Sequence, residues 1–525
     1  MEGKYLTLSF LIPTAVRSIP EIISFPWPIG YDTVMAYAPF IYYCQTYGYF
    51  SVLSCYVFLK HSAFFFYVLI GGLGVLTRGD PFLILKFVAP LLYGFLGFAV
   101  FYFCSSFLGW NAEKSLFCAV LTSAYFVSLA LSLGFFRNIL SLGFFFVTLA
   151  KSKDLEKGKD LTLFLLFLFL CVSSHEVITF VLFFVITFMF LKELYDKLKG
   201  GKGRRLRSLV GLSLGVATCF VFVFFYSFMF DTPWNGSFTT GMSVLVDYTS
   251  WRFFGDVGFY LSVIDLGHHI LLFFLFSYAL LLPFVLWGYF RCRPLDVMSL
   301  VLLGASFMPL FLPHSALPNW WRWMIMLVFP FAIYASNALF PSEGETIVRK
   351  WLEGVFHYLT KKSGSQNPTS KIVRMGVGRR EVFLVFVVLV SVLSFTFMVF
   401  PYEHPFPYYS NSVIQLYFPP SMQCNTLPLS ECEEAVLATV WLNWNMPQNS
   451  CLIAHEKLLG WAELNVNFRP IYKYSGVSTG LSQALKQASL YNSTYVITTW
   501  TYDYFIRTGG FTLVFNLGPI EVFKK

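Results

Sequence analysis

The sequence predicts an α-helical polytopic membrane protein with about 11 to 13 transmembrane helices and a small C-terminal extracytoplasmic α/β domain. Of its 525 residues, 57% are hydrophobic and only 12% are charged, whereas a soluble domain has about 25% charged residues. Apolar runs such as 82–107 and 381–400 are long enough to cross ~30 Å of hydrocarbon. After residue 400 the pattern changes to short helices and strands. We therefore expect a transmembrane domain over residues 1–400 and a second domain over residues 401–525.

Basic residues predict which side of the membrane each loop occupies. They form four clusters, at Lys151 to Lys159, 192–207, Arg291 to Arg293 and Arg349 to Arg380. Lysine and arginine collect in cytoplasmic loops, so we expect a multi-pass protein of the cell membrane, with its N-terminus in the cytoplasm and its C-terminal domain outside. The same loops account for the net charge of +9. Outside them no comparable basic cluster is present, and we therefore exclude nucleic acid as a partner.

The apolar segments between these clusters are predicted to pair as hairpins. The hairpins are 161–173 with 176–191, 208–230 with 268–290, and 297–313 with 321–340, and 382–400 is the last span. In the first third, the predicted spans are 6–24, 82–106, 114–134 and 138–150, which leaves 25–81 as a long outer loop. Whether residues 49–77 cross the membrane or lie in its interface stays open. Residues 138–150 and 161–173 are short for full spans, so we expect them to tilt or to lie inside the bundle.

The C-terminal residues alternate between helical and strand patterns. Ser430 and Glu433 have the spacing of a capping box before a helix, "CEEAVLATVWLNWN". "SCLIAH" and "TYVITTW" predict short buried strands with the helix "GLSQALKQASL" between them, and "FTLVFNLGPIEVF" predicts a hairpin. This alternation is typical of a small α/β domain, and no catalytic motif is present in it.

Three cysteines, Cys424, Cys432 and Cys451, lie in the domain predicted to be outside. An oxidising compartment permits disulfides, and Cys424 with Cys432 closes the shortest loop, so we predict that pair. No CxxC spacing or histidine cluster accompanies these residues, which excludes a zinc site of the usual pattern.

The stretch "SFPWPIGYDTVMAYAPFIYYC", residues 24–44, places one carboxylate, Asp32, where the first span meets the outer surface. Pro26, Pro28 and Gly30 are predicted to end the span and turn the chain before it. An ionisable group at membrane depth is a candidate functional residue by default. The alternative is that Asp32 caps the next helix.

Further polar residues are predicted on the same outer face. They are Arg137 and Asn138 in "LSLGFFRNILSL", His175 and Glu176 in "SSHEVITF", and Arg322 in "NWWRWMIMLVFP". Each has a plainer interpretation: Arg137 could snorkel to the surface, His175 and Glu176 could form a solvated turn, and Arg322 could belong to an interfacial tryptophan belt. Together, a carboxylate facing several cations suits transfer from a phosphate-linked donor. The carboxylate takes the acceptor's proton while the cations hold the departing phosphate.

The order of these segments resembles the GT-C superfamily of polytopic glycosyltransferases, and within it the mannosyltransferases that depend on dolichyl-phosphate-mannose. "PIGYDT" resembles the start of the family's first outer loop, which implies that Asp32 is the catalytic base. "GFFRNILSLGFFFVTLA", "SSHEVITFVLFF" and "WRWMIMLVFPFAIYASNAL" are similar to its Arg-Asn segment, its histidine hairpin tip and its late Arg-aromatic span. Asp32 lacks a clear second acidic partner, Glu21 being the nearest candidate. The WWDYG motif of oligosaccharyltransferases is absent, with only "TWTYDY" in its place.

The resemblance implies an integral membrane glycosyltransferase that moves a sugar from a polyprenyl-phosphate donor to a protein, lipid or glycan acceptor at the outer face. Asp32 is the expected base, Arg137, Asn138, His175 and Arg322 are expected substrate contacts, and Glu176 is expected to bind substrate or act as a second acid. No metal ligands are assigned, and a divalent cation as cofactor stays open. The alternative function is a transporter or flippase of a lipid-linked or small anionic substrate, although the internal repeats typical of transporters are not found.

Overall fold

The computed structural model is mostly helical and ends in a small domain with a five-stranded sheet, which confirms the predicted fold class. The structure describes residues 2–54, 64–131, 134–199, 206–226, 245–247, 252–254, 263–311, 320–340, 385, 387–389, 426–467, 469–474, 478–500 and 504–525. The last predicted span, 382–400, lies almost wholly outside these residues. The side of the membrane on which each terminus lies stays a prediction.

Helices account for almost all of the described chain up to residue 340. The helices are α1 (Glu2–Ile23), α2 (Ala38–Tyr47), α3 (Tyr49–Val52), α4 (Phe65–Thr77), α5 (Pro81–Tyr102), α6 (Ala112–Ala124), α7 (Phe126–Leu131), α8 (Phe136–Lys151), α9 (Gly158–Val172), α10 (Glu176–Leu198), α11 (Leu206–Phe220), α12 (Val263–Tyr278), α13 (Leu282–Gly288), α14 (Arg293–Phe307), α15 (Trp320–Met326) and α16 (Val328–Leu339). Strands β1 (Leu245–Asp247) and β2 (Arg252–Phe254) pair antiparallel. Shorter π turns span Thr33–Tyr37, Phe103–Phe107 and Val221–Tyr226, and 3-10 turns span Ser152–Asp154, Met308–Leu310 and Leu429–Glu431.

Within the described ranges, six helical segments have the length and apolar composition to cross a membrane. They are Gly3–Ile23, Pro81–Phe107, Glu176–Leu198, Leu206–Val223, Arg293–Leu310 and Trp320–Leu339. Helix α8 is shorter, yet 14 of its 16 residues are buried. This confirms that the segment predicted at 138–150 lies inside the bundle. Helix α9, over the segment predicted at 161–173, has only four buried residues and therefore lies at the surface of the bundle.

The chain divides into two compact units. The first comprises Met1–Ser18, Cys55–Phe66 and Ala89–Phe395. In this unit α8 packs along α9, α10 packs against α11 and α14, and α13 packs against α16. Aromatic side chains fill the contacts between helices, as where the Phe180 and Trp323 rings meet edge to face with centroids 5.7 Å apart. The helices that begin near Arg137, Glu176 and Arg322 all belong to this unit.

The second unit comprises Ile19–Ser54, Tyr67–Val88 and Thr396–Lys525. Its C-terminal part consists of α17 (Cys432–Asn445), β3 (Ser450–His455), α18 (Leu459–Asn465), β4 (Ile471–Tyr474), α19 (Ser478–Ala488), β5 (Ser493–Thr499), α20 (Tyr504–Thr508), β6 (Thr512–Leu517) and β7 (Ile520–Lys524). The sheet order is β4-β3-β5-β7-β6. Strand β3 pairs in parallel with β4 and β5, whereas β7 pairs antiparallel with β5 and β6.

Two apolar clusters pack on the sheet, and one of them includes residues from the segment predicted to be the first outer loop. That cluster joins residues of α17, α18 and the strands to Val34, with Trp27 and Phe82 packed against it. The other joins strand residues to α19. The segment that carries Asp32 is therefore part of the same core as the C-terminal domain. The predicted domain boundary at residue 400 falls outside the described residues and stays a prediction.

Most predicted elements of the C-terminal domain are present, with two differences. Strand β4 was not predicted, because its four residues are too short to show a clear alternation. The predicted capping box at Ser430 and Glu433 is wrong, since a 3-10 turn over Leu429–Glu431 precedes α17 and the residue before the helix, Glu431, makes no side-chain cap. The predicted hairpin is present as β6 and β7.

Candidate functional site

A buried ion pair joins the first turns of α8 and α10. Arg137 Nη2 lies 2.7 Å from Glu176 Oε1, and the two side chains are only 14% and 17% exposed. A guanidinium and a carboxylate at this distance form a charge-assisted hydrogen bond. Arg137 therefore does not snorkel to the surface, which corrects the plainer interpretation of this residue.

His175 caps α10 and is neutral. Its Nδ1 accepts the backbone N–H of Val177 at 3.1 Å, and a nitrogen that accepts cannot carry a proton, so the ring proton is on Nε2. Nε2 lies 3.9 Å from Glu176 Oε2. His175 precedes the membrane-spanning helix, and its burial lowers its pKa to about 3. The negative charge of Glu176 opposes this shift in pKa, while the positive charges of Arg137 and Arg322 add to it.

The turn that holds His175 is buried, which contradicts a solvated hairpin tip. Ser173 and Ser174 are fully buried and His175 is 6% exposed. Both serine hydroxyls donate to backbone carbonyls in the last turn of α9. The "SSHE" polar residues therefore complete the ends of two helices and place the His175 imidazole inside the protein.

Arg322 lies on an aromatic surface beside this ion pair. Its guanidinium carbon is 4.8 Å from the ring centroid of Phe135 and 5.2 Å from that of Trp321. Such contacts stabilise the cation while leaving its edge able to donate hydrogen bonds. Trp320, Trp321 and Trp323 are at least 95% buried. The alternative interpretation, an interfacial tryptophan belt, is therefore wrong, because these rings pack inside the helical unit.

Two neutral donors add to the cluster. The Asn138 Nδ2 and Trp321 Nε1 atoms are buried and make no hydrogen bond to the part of the chain that the structure describes. A buried donor without a partner is costly, so each favours a ligand with acceptor oxygens. The N-termini of α8 and α10 lie here as well, and helix N-termini favour anions.

The charge of this cluster is positive. Arg137 and Arg322 contribute two positive charges, Glu176 contributes one negative charge and His175 is neutral, so the formal sum is +1. We call Arg137, Asn138, His175, Glu176 and Arg322, with Phe135 and Trp321, the outer cluster. Its composition suits a monoanionic phosphate group, which needs one compensating charge and several N–H donors.

Asp32 belongs to the second compact unit. It is half buried and precedes the π turn Thr33–Tyr37, with helical φ and ψ of −65° and −23°. Its side chain makes no capping hydrogen bond to that turn, so the helix-cap interpretation is wrong. Gly30 has φ of +100°, a conformation that favours glycine, and it turns the chain from the end of α1 into this segment. The meeting of Asp32 with the outer cluster stays a prediction.

Helix α18 presses directly on the Asp32 segment. A Cβ atom built on Gly460 would lie 2.0 Å from the carbonyl oxygen of Val34 and 2.7 Å from its carbonyl carbon. Only glycine permits this approach of the two backbones. The C-terminal domain therefore supports the position of the residue proposed as the base, a relation that the sequence alone did not reveal.

Glu21, the nearest candidate for a second acid, forms a buried ion pair with Lys86. Lys86 Nζ donates to Glu21 Oε2 at 3.1 Å, to the Glu21 carbonyl oxygen at 3.0 Å and to Ser24 Oγ at 2.7 Å. Both charged side chains are about 7% exposed. This buried pair fixes the end of α1, where the chain leaves for Asp32, and Lys86 was missed because it lies within an apolar run.

The predicted disulfide is not tested, because Cys424 lies outside the described residues. Cys432 is buried with its sulfur 3.5 Å from the carbonyl oxygen of Pro428. Cys451 lies in the other apolar cluster of the domain, so Cys432 and Cys451 are not paired with each other. Within the described ranges, no group of three or more His, Cys, Asp or Glu residues is placed to hold a metal ion.

Comparisons with known proteins find similarity in solved structures, at low sequence identity. No family model matches the chain, and no curated protein matches it. Among solved structures, it is similar to the crystal structure of ArnT from Cupriavidus metallidurans bound to undecaprenyl phosphate, at 11% identity and a TM-score of 0.49, covering 99% of this chain and 97% of that one. A similarity this distant does not specify a reaction, which has to be argued from the residues.

Proposed function

We propose that the protein is an integral membrane glycosyltransferase of the GT-C type. It takes a sugar from a polyprenyl-phosphate donor, such as a dolichyl-phosphate sugar, and transfers it to an acceptor at the outer face of the membrane. The observation that carries the proposal is the outer cluster. It joins two partly buried arginines, one carboxylate, a neutral histidine and two buried N–H donors at the starts of α8, α10 and α15.

The outer cluster is proposed to hold the donor phosphate. The phosphodiester of such a donor carries one negative charge, which matches the formal charge of the cluster. Arg322, which lies over the rings of Phe135 and Trp321, is proposed to donate to the phosphate oxygens. Asn138 and Trp321 supply neutral N–H donors. Glu176 holds Arg137 in place and limits the positive charge, so that the product phosphate can leave.

Asp32 is proposed to be the base in a single displacement. The carboxylate accepts the proton of the acceptor's nucleophilic group as that group forms a bond to the anomeric carbon of the sugar. The bond between this carbon and the phosphate oxygen breaks, and the electron pair stays on the polyprenyl phosphate. The arginines stabilise the charge that develops on the leaving group. The half-buried position of this carboxylate, directly after the turn at Gly30, supports this assignment.

The test is the variant Asp32→Asn, assayed in proteoliposomes with polyprenyl-phosphate sugars and a mixture of candidate acceptors. Removal of a general base costs about 10²- to 10⁴-fold in rate, and we expect a loss of transfer in this range with normal folding. The matched control is Asp80→Asn. The Asp80 carboxylate does cap α5, accepting the N–H of Leu83 at 2.9 Å, and asparagine caps equally well, so this variant should keep full activity.

Near-normal transfer by Asp32→Asn would refute the assignment of the base. A transporter of the same anionic lipid would use the outer cluster without needing a proton acceptor at Asp32. Donor binding without any sugar transfer by the wild type, together with movement of the intact donor across the bilayer, would therefore favour the transporter over the glycosyltransferase.

A further inference from the structure

A cavity of about 450 Å³ lies at the other end of helix α10. Three of its lining residues are basic: Lys192 from α10, Arg291 from the loop after α13, and Arg293 at the start of α14. Apolar residues line the rest, chiefly Phe107, Phe290 and Pro294. We call this space the inner cavity. It is independent of the outer cluster and of the proposed function.

The described residues that line the inner cavity carry three positive charges. None of these lining residues is a carboxylate. Lys192 lies 3.7 Å from Asp196, but both side chains are more than 40% exposed, and such surface pairs contribute little. Arg293 Nη1 is buried and has no hydrogen-bond partner in the described part of the chain. A buried guanidinium nitrogen in this state favours an anionic ligand.

The backbone around the cavity also favours an anion. Helix α14 is 15 residues long and begins at Arg293, so its N-terminal amides and dipole lie at the cavity. Lys153 Nζ donates to the carbonyl oxygens of Ser106 and Phe107, which brings a fourth cation to the edge. The Phe290 ring packs on Trp110 with centroids 5.8 Å apart, which gives the cavity a rigid apolar wall.

The position of the cavity matches a membrane surface. Lys192 follows Glu176 by 16 residues, a rise of ~24 Å along the helix. The inner cavity is therefore separated from the outer cluster by most of a bilayer's hydrocarbon thickness. Two of the basic clusters that predict cytoplasmic loops, 192–207 and Arg291 to Arg293, begin at this cavity.

We propose that the inner cavity binds a phosphate group at the membrane surface opposite the outer cluster. Arginine binds phosphate oxygens in a two-pronged geometry, and lysine adds a point charge. The aromatic and proline wall suits the glycerol and upper acyl carbons that follow a lipid phosphate. The phosphate is carried either by an anionic phospholipid or by a free phosphate ion, and the following experiment separates these sources.

The experiment measures thermal unfolding of the full-length protein in detergent by tryptophan fluorescence. Dioleoylphosphatidylglycerol, dioleoylphosphatidylcholine and inorganic phosphate are titrated separately. We compare the wild type with Arg291→Gln and with the double variant Arg291→Gln and Arg293→Gln. The control is Arg207→Gln, an exposed arginine at the start of α11 that does not line the cavity. Arg291 is exposed, so its single variant should fold normally even if the double variant does not.

If the proposal is correct, phosphatidylglycerol or phosphate stabilises the wild type and Arg207→Gln equally. Loss of a charge-assisted contact should weaken that binding at least about tenfold in Arg291→Gln. An effect of phosphatidylglycerol alone identifies the lipid as the source, and an effect of inorganic phosphate identifies the free anion. Phosphate bound at the outer cluster is unaffected by these changes. Equal binding by the wild type and both cavity variants, or no stabilisation by either ligand, would overturn the proposal.

Discussion

Charged side chains are arranged differently near the two ends of helix α10. At its start, Glu176 is paired with Arg137 at 2.7 Å and lies beside a neutral histidine. Toward its far end, Lys192 lines a cavity together with Arg291 and Arg293, and none of the described lining residues is a carboxylate. The first region has a formal charge of +1, because Glu176 compensates one of its two arginines, whereas the described lining of the second region carries three positive charges.

This difference predicts that substitutions in the two regions affect stability and ligand binding to different extents. A buried charge that loses its partner costs several kcal/mol, so the outer cluster must be complete for the helices to pack. The inner cavity is more exposed, and solvent screens its charges. We therefore expect substitutions at the outer cluster to change both stability and function, whereas substitutions at the inner cavity change ligand binding with little effect on stability.

The largest expected effect comes from Glu176→Gln. This change keeps the shape of the side chain but removes the buried charge that pairs with Arg137. Breaking a buried ion pair costs about 3–5 kcal/mol, so the unfolding temperature and yield in detergent should fall sharply. Arg291→Gln at the other end should cost less than about 0.5 kcal/mol, as exposed substitutions do. Similar losses in both variants would remove the distinction between the two regions.

A smaller effect is expected where packing, rather than charge, supports the candidate site. In Gly460→Ala the new methyl group would lie 2.0 Å from the Val34 carbonyl oxygen, and such overpacking costs about 1–3 kcal/mol. Because the Asp32 segment must shift, transfer activity should fall as well. The matched control is Gly304→Ala in α14, where an added Cβ meets no atom within 4 Å. Equal activity of the two variants would show that α18 does not support the Asp32 segment.

The smallest effect concerns pH. The pKa of His175 is lowered to about 3 in the folded protein, against about 6.5 in an unfolded chain. Below pH 6.5 the unfolded chain binds a proton that the folded protein does not, so stability falls as the pH decreases from about 6.5 towards 3. At pH 5 this amounts to at most about 2 kcal/mol.

His175→Asn isolates this contribution, because asparagine keeps the helix cap but does not titrate. Its unfolding temperature should fall less between pH 7 and pH 5 than that of the wild type. Arg291→Gln should keep the wild-type slope, since the basic groups of the inner cavity do not change charge in this range. An equal slope in wild type and His175→Asn would show that His175 does not contribute to acid sensitivity.

The membrane class and most helices could be predicted from the sequence because their signals are local. Apolar runs of about 20 residues and basic clusters mark helices and loops directly. The polar groups of the outer cluster could also be found, since Arg137, His175, Glu176 and Arg322 interrupt otherwise apolar segments. Strand β3 was predicted as a short buried run and helix α17 from its helical periodicity, and both signals are local.

The relations between distant residues could not be predicted. The sequence does not indicate that Lys86 is the partner of Glu21, because 65 residues separate them. The same holds for Gly460 and Val34, whose contact depends on the fold. An interfacial belt stayed open as an alternative for the tryptophans around Arg322, because the same composition occurs at a membrane interface and in a buried helix contact. Only the structure distinguishes these environments, through burial.

The most direct test of the central claim is the binding of polyprenyl phosphate to the outer cluster. The measurement uses the full-length protein in nanodiscs with excess phosphatidylglycerol, so that this lipid occupies any site at the inner cavity. Wild type, Asp32→Asn and Arg207→Gln are expected to bind equally, while Arg322→Gln binds at least about tenfold more weakly. Unchanged affinity in Arg322→Gln would contradict the claim that the outer cluster holds the donor phosphate.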